Sequence, residues 1–394
     1  MSVAHTVDDL YQGIVPALLP FLVLERHYTY AAVSGLTLAA TVLSSVAQPA
    51  FGWLTDRRPR RWIIPAGMTV AGLGVGVAGL FPTYLLTWLA IAISGLGIAA
   101  FHPEAARAAR QAAGNSTRAM SVFALGGNVG YALGPLIATP VLLTIGVRGT
   151  PLLFLPALLM AAVLIARLTR VLDGRPGRRR ASMLPIGVDD WPAFARLTAV
   201  VVVRSVLFFG LTTFLALHLI TDLGASAGQA GAVLTVFLVS GAAGTLFGGW
   251  LADRAGRLLC IRLGFGIAIP AVAGLAVVTN RPLAIAFVVL AGIAVYLPFS
   301  VFVVLGQDYL PNRIGTASGV TVGLAVSVGG LTTPAFGALA DATSLRTVLA
   351  VLVALPVLAL ALSTLLRDPR SKPTAAAPSG AVRGVPEPEV ESGR

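Results

Sequence analysis

Cysteine is nearly absent from this chain, with one, Cys260, in 394 residues. An internal disulfide is therefore excluded, and no Cys/His spacing of the metal-binding kind appears, so no metal is expected. Charge is scarce as well. Asp, Glu, Lys and Arg make up 11% of the residues and hydrophobic side chains 56%, whereas a soluble domain averages about 25% charged. Such a chain has too little charge to cover itself in water, so most of its surface faces lipid. There are four histidines and sixteen acids, the acids mostly at turns. No Walker loop, no G-x-S-x-G elbow and no cofactor-binding fingerprint is present, so neither direct ATP drive nor an enzyme is expected. Period-two alternation is missing too, which argues against a membrane β-barrel.

Long apolar runs are abundant, and mean hydropathy is +0.86. Twelve segments of spanning length fall near 5–24, 30–54, 62–81, 83–103, 119–145, 150–170, 196–220, 229–251, 258–279, 281–305, 314–340 and 345–366;. Gly and Pro are frequent inside them, as packed membrane helices tolerate. The first segment carries His5, Asp8 and Asp9, with no basic run before it and no small-residue cleavage site. It is expected to be a retained helix, not a signal peptide. The predicted fold is an all-α membrane protein with twelve transmembrane helices in two pseudo-symmetric six-helix bundles. The halves span 1–170 and 196–366, with a central loop at 171–195 and a disordered tail at 367–394;.

Arginine sets the expected orientation. The turns after segments 2, 4, 6, 8 and 10 carry Arg57, Arg58, Arg60 and Arg61, then Arg107, Arg110 and Arg118, then Arg175 and 178–180, then Arg254 and Arg257, then Arg313. The opposite turns hold little beyond Arg26, Arg148, Arg281 and Arg346. The bias puts both termini in the cytoplasm and accounts for the net charge of +12. Because these arginines are dispersed over turns, contact with anionic lipid explains them and nucleic-acid binding does not.

One charged turn occurs twice. GWLTDRRPRR at 52–61 returns as GWLADRAGRL at 249–258, 197 positions later. Gly52, Asp56 and Arg57 match Gly249, Asp253 and Arg254, while Pro59 stands against Gly256. A half-chain repeat in a hydrophobic protein indicates two copies of one membrane unit, the usual build of a transporter with its path between the copies.

Twelve helices with a G-x-L-x-D-R turn after helix 2 and again after helix 8 resemble the major facilitator superfamily, over about residues 4–367. The stretches HTVDDLYQGIVPALLP (5–20), FHPEAARAAR (101–110), GGNVGYALGP (126–135) and VVRSVLFFGLTTFLAL (202–217) are similar to its fosmidomycin-resistance branch of drug exporters. The resemblance implies a bacterial plasma-membrane protein that exchanges drug for protons. It also implies that Gly52, Asp56, Arg57, Gly249, Asp253 and Arg254 form a latch holding the inner side shut, with small Gly52 and Gly249 letting helices approach. Gly130, Gly134 and Pro135 resemble the helix-5 antiporter motif, although Ala138 and Thr139 replace its following glycine pair. Plain helix packing is the simpler reading of that spacing.

Ionisable groups at membrane depth are costly and usually functional. His5, Asp9, Gln12 and Pro16 recur at helical spacing and share one face of helix 1;. The offset of 197 maps Arg204 of helix 7 onto position 7 of helix 1, beside Asp8 and Asp9, of which Asp8 points to a different azimuth and is the weaker candidate. An Asp9–Arg204 pair across the path is therefore expected, with His102 and Glu104 ending helix 4 on the same side. Asp9, His5, His102 and Glu104 are the proton-coupling candidates, and the plain alternative is a fixed ion pair with helix-end residues reaching headgroup water. Arg204, Gln12, Asn128, Tyr131 and Tyr296 are the substrate-path candidates. The favoured function is a proton-coupled exporter of a small antibiotic-like, anionic compound, working as a monomer with protons, substrate and bilayer as its partners. A metabolite uptake symporter would use the same parts in the opposite sense. A non-transporting sensor or scaffold has no reason to keep Asp9 and Arg204 at such depth.

Overall fold

The structure, a computed structural model, describes residues 1–57, 60–113, 117–172, 187–313, 316–317 and 319–369. The described residues form helices joined by short connections, with no strand among them. The first half contains α1 (Ser2–Arg26), α2 (Tyr30–Arg57), α3 (Ile63–Ala78), α4 (Tyr84–Ala113), α5 (Thr117–Ile145) and α6 (Leu155–Leu172). The second contains α7 (Trp191–Thr221), α8 (Ala227–Ala255), α9 (Arg257–Val277), α10 (Arg281–Tyr296), α11 (Phe299–Tyr309), α12 (Ala325–Ala342), α13 (Leu345–Leu352) and α14 (Ala354–Ser363). Among the described residues ten stretches are long and apolar enough to cross a membrane, and α3 is a shorter apolar helix.

Several boundaries depart from the hydropathy reading, each for a local reason. Segment 10 divides into α10 and α11 at Leu297 and Pro298, and the last segment divides into α13 and α14 at Val353. Pro298 and Pro356 have no N–H to return to the carbonyl four residues earlier, so the ladder breaks at both places. The sixth segment opens as a 3-10 turn, Val147–Phe154, before α6, and the eleventh opens as a π turn, Gly319–Leu324, before α12. Helix α7 starts at Trp191, inside what reads as the central loop, because Asp190 caps it by accepting from the Ala193 amide at 3.0 Å and a proline occupies its first turn. Helix α4 runs on to Ala113, so His102 and Glu104 lie well inside the helix and do not end it. Hydropathy falls at position 102, but the alanine-rich stretch that follows keeps helical propensity. Residues 173–186 and 370–394, most of the expected loop and tail, lie outside the described residues.

A seam of glycines joins α1 to α5. A Cβ at Gly130 would stand 2.1 Å from the Thr6 carbonyl oxygen, and one at Gly134 would stand 2.3 Å from the Gly13 backbone. Only hydrogen fits there, so the two backbones touch directly. Gly52 and Gly249 are different. A Cβ at Gly52 would meet Pro103 at 4.0 Å, and one at Gly249 would meet Ser300 at 3.7 Å, both ordinary contacts. The close helix approach expected at these two glycines is therefore not made in this conformation.

Hydrogen bonds between the two halves tie together the helix ends remote from the termini. Asp341, in the last turn of α12, accepts from the Tyr30 and Ala31 amides at the start of α2, each at 2.8 Å. Thr333 donates to the Ser34 carbonyl at 3.1 Å, and Thr213 donates to Thr37 at 3.3 Å.

Candidate functional site

Helices α1, α4 and α5 bring three ionisable side chains into one cluster. His5, Asp9 and Gln12 occupy one face of α1, and His102 comes from α4. The His5 Nδ1 lies 2.7 Å from the Phe123 carbonyl, and the His102 Nδ1 lies 2.9 Å from the Ile98 carbonyl. A carbonyl oxygen only accepts, so each Nδ1 carries the proton and donates it. That assignment turns both Nε2 atoms inward. They are 3.3 Å apart, and each reaches Asp9, His5 to Oδ2 at 3.3 Å and His102 to Oδ1 at 3.2 Å. The His5 ring stacks on Phe123 with centroids 4.3 Å apart. Gly127 of α5 backs the cluster, since a Cβ there would stand 2.4 Å from Asp9 Oδ2.

Asp8 was the weaker candidate on the sequence because it points to another azimuth of α1. It is fully buried, with one oxygen 3.5 Å from His102 Nδ1 and neither oxygen hydrogen-bonded. Glu104 stays outside the cluster. It is buried and pairs with Arg107 one turn further along α4.

Gln12 connects the cluster to a narrow cavity. Its amide donates to Asp9 Oδ1 at 2.7 Å. The cavity is lined from the first half by Gln12, Thr37, Thr41 and Tyr131, and from the second by Phe209 and Thr212. Tyr131 stands 6.0 Å from Phe208, which meets Tyr296 edge-on at 5.4 Å, so an aromatic row continues into the second half. Asn128 is half-buried on α5 and is not among the residues lining this cavity.

Arg204 does not meet Asp9. Its guanidinium is buried, donates to the Val295 carbonyl at 3.2 Å and lies 5.2 Å over the Phe299 ring, with Nε unpartnered. The expected cross-path pair is absent because each residue turns to a neighbour in its own half. Phe299 stands 197 positions after His102. The α1-to-α4 contact of the first half is thus repeated as the contact of α7 with Phe299, and the charged partner on one side has become an aromatic ring on the other.

The two copies of the repeated turn are described unequally. The side chains of Asp56 and Arg57 lie outside the described residues, although α2 extends to Arg57. Asp253 and Arg254 are exposed in the last turn of α8, and Arg254 packs over Trp250 at 4.5 Å. Among the described residues Asp253 has no ion pair.

The grouping of His5, Asp9 and His102, with three ligand-type atoms within 4.8 Å of one another, has no signature in sequence spacing, because its members are nearly a hundred positions apart. Gly127 was also missed. Its place between Gly126 and Gly130 was the available signal.

A helical, multi-pass membrane protein with paired halves, buried ionisable side chains and a cavity lined by both halves is a transporter. The chain belongs to the Major Facilitator Superfamily, whose family model matches residues 1–334. It is 32% identical over 367 residues to the MFS-type transporter YfnC of Bacillus subtilis (strain 168), covering 91% of this chain and 90% of that one. It is 30% identical over 379 residues to the Fosmidomycin resistance protein of Escherichia coli (strain K12), covering 94% and 93%. In fold it resembles a bacterial homolog of the human lysosomal transporter Spinster in an inward-facing, unoccupied conformation, with TM-score 0.76, 18% identity and coverage of 92% and 95%. It also resembles the nucleoside transporter NupG, with TM-score 0.72, 14% identity and coverage of 93% and 98%.

Proposed function

We propose that this transporter exports a small antibiotic-like anion from the cell in exchange for protons. It works as a monomer in the bacterial inner membrane with both termini in the cytoplasm. The observation that carries the reading is the hydrogen-bonded link from the His5–Asp9–His102 cluster through Gln12 to a cavity lined by both halves. Coupling requires that the proton site and the substrate site feel one another, and one side chain spans the two here. The likeness to a Fosmidomycin resistance protein supports export, and the arginine-rich turns support the orientation. In that orientation the bonded ends at Asp341 and Tyr30 are periplasmic and the cluster is approached from the cytoplasm. Arg204 is the cation of the path, buried without an acid beside it, and an anionic substrate group supplies the missing charge.

The test is substrate-triggered proton movement in proteoliposomes, screened over phosphonates, carboxylates and lipophilic drugs. An anionic phosphonate is expected to drive proton counterflow. Asp9→Asn is expected to abolish gradient-driven transport and to retain substrate exchange without a gradient, since the amide keeps the hydrogen bonds and carries no proton. Gradient-driven transport at the parent rate in that variant would place coupling elsewhere.

A further inference from the structure

We infer that His5, Asp9 and His102 form a binding site for one divalent transition-metal ion of the zinc type. The two Nε2 atoms are 3.3 Å apart, His5 Nε2 is 3.3 Å from Asp9 Oδ2 and His102 Nε2 is 3.2 Å from Asp9 Oδ1, so one ligand atom from each residue lies within 4.8 Å of the others. An ion with metal–ligand bonds of about 2.0–2.1 Å in tetrahedral geometry holds its ligand atoms about 3.3 Å apart. The two Nε2 atoms already have that spacing, and each faces one of the two Asp9 oxygens.

The donors suit this ion class. Imidazole nitrogen with one carboxylate favours zinc, copper or nickel over magnesium or calcium, which take oxygen. Ring orientation is already set as ligation requires. Each Nδ1–H is committed to a backbone carbonyl, Phe123 for His5 and Ile98 for His102, which leaves the Nε2 lone pair for the ion;. Gln12 fixes Asp9 in the same way at 2.7 Å.

Asp8 adjoins the cluster, with one oxygen 3.5 Å from His102 Nδ1. It is fully buried, and neither of its oxygens has a hydrogen-bond partner. A buried carboxylate without compensation is costly. A dication held by Asp9 and the two imidazoles would stand beside this buried carboxyl. Three protein ligands leave a fourth position for water. The side chains are 10%, 13% and 23% exposed for His5, Asp9 and His102, so an ion has a way in.

The consequence for transport rests on the proposed function: an ion seated here occupies the atoms assigned to coupling and inhibits exchange. The binding itself does not rest on it and is tested without substrate. The purified full-length protein, stripped with chelator, is titrated with zinc chloride by calorimetry. Beside it are titrated His5→Gln, His102→Gln and a His27→Gln/Cys260→Ser control. The parent and the control are expected to bind one equivalent, and each cluster variant is expected to bind at least about tenfold more weakly. Monodispersity and far-UV dichroism establish that the variants are folded. X-ray absorption of the zinc-loaded parent is expected to show two imidazoles at about 2.0–2.1 Å, a readout that needs no variant. No saturable binding by the parent, undiminished binding in both histidine variants, loss in the control, or fewer than two imidazoles would each overturn the site. A protein that binds zinc in this way and moves no protons would refute the transport reading and leave the metal site standing.

Discussion

Arg204 is a buried cation well inside α7. A lone arginine at the centre of a membrane helix costs about 2.5–3.5 kcal/mol on insertion scales. Here one Nη donates to the Val295 carbonyl and the guanidinium lies over Phe299, but among the described residues no carboxylate pairs with it and Nε is unpartnered. The ring recovers about 0.5–2 kcal/mol, so the charge is kept at a net cost. Arg204→Ala is expected to lose transport of an anionic substrate while the protein inserts normally. Arg204→Lys is expected to retain little, because a planar fork is replaced by a point charge. Initial rates in inverted vesicles, normalised to protein level, decide this, and a fully active alanine variant removes Arg204 from the path. Asp9 is the opposite case, with three side-chain partners in its own half, His5, His102 and Gln12. Its substitution is read in coupling, as described above, and less in insertion.

At the scale of helices, the α1–α5 seam positions the cluster. Both elements contribute backbone to the contact, and Gly127 of α5 leaves the space that Asp9 and His5 fill. Adding a methyl group at Gly134 puts it 2.3 Å from backbone that has no side-chain freedom with which to retreat. Gly134→Ala is expected to destabilise the fold by about 1–3 kcal/mol, the usual range for overpacking, visible as a lower melting temperature in detergent. Gly249→Ala has a nearest neighbour at 3.7 Å and is expected to melt within about 0.5 kcal/mol of the parent. Equal losses at the two positions would show that the seam is not packed as described.

At the scale of the whole molecule, two acids mark the two ends of the helices. Asp341 closes the end remote from the termini by capping α2 of the other half with both oxygens, a charge-assisted contact at a helix N-terminus;. Removing a capping acid costs about 1 kcal/mol, which is roughly a fivefold shift in an equilibrium. Asp341→Ala is expected to open that end about fivefold more often. The rate at which a cysteine at position 37 is labelled by an impermeant thiol reagent, in a Cys260→Ser background, measures it, and unchanged labelling would make the contact incidental. Asp253 stands exposed and unpaired among the described residues at the other end of α8. A latch that engages in the alternate state would leave it so in this one. Asp253→Asn is expected to slow turnover with substrate affinity unchanged, because such a group biases two states without touching ligand. Normal turnover would reduce the repeated turn to a topology marker.

The sequence by itself determined that this is a polytopic helical protein and that its two halves repeat. Those properties follow from composition and from segment length against bilayer thickness, which need no partner contacts. It also placed His5, Asp9 and Gln12 on one helix face, because a 3.6-residue period is local. Tertiary structure decided which charges meet. The repeat offset maps a position onto its counterpart, but the neighbour of each is set by packing within its own half. Asp9 therefore finds His102 while Arg204 finds Phe299, the residue at the matching place. It also decided that Asp8 is buried, that Gly127 makes room for the cluster, and that Asp341 crosses between halves, all of which depend on contacts between residues far apart in the chain. Helix breaks at Pro298 and Pro356 and the early start of α7 at Asp190 were written in the sequence as proline and cap signals. Hydropathy alone does not register them, because it averages over the residues that carry hydrogen-bond information.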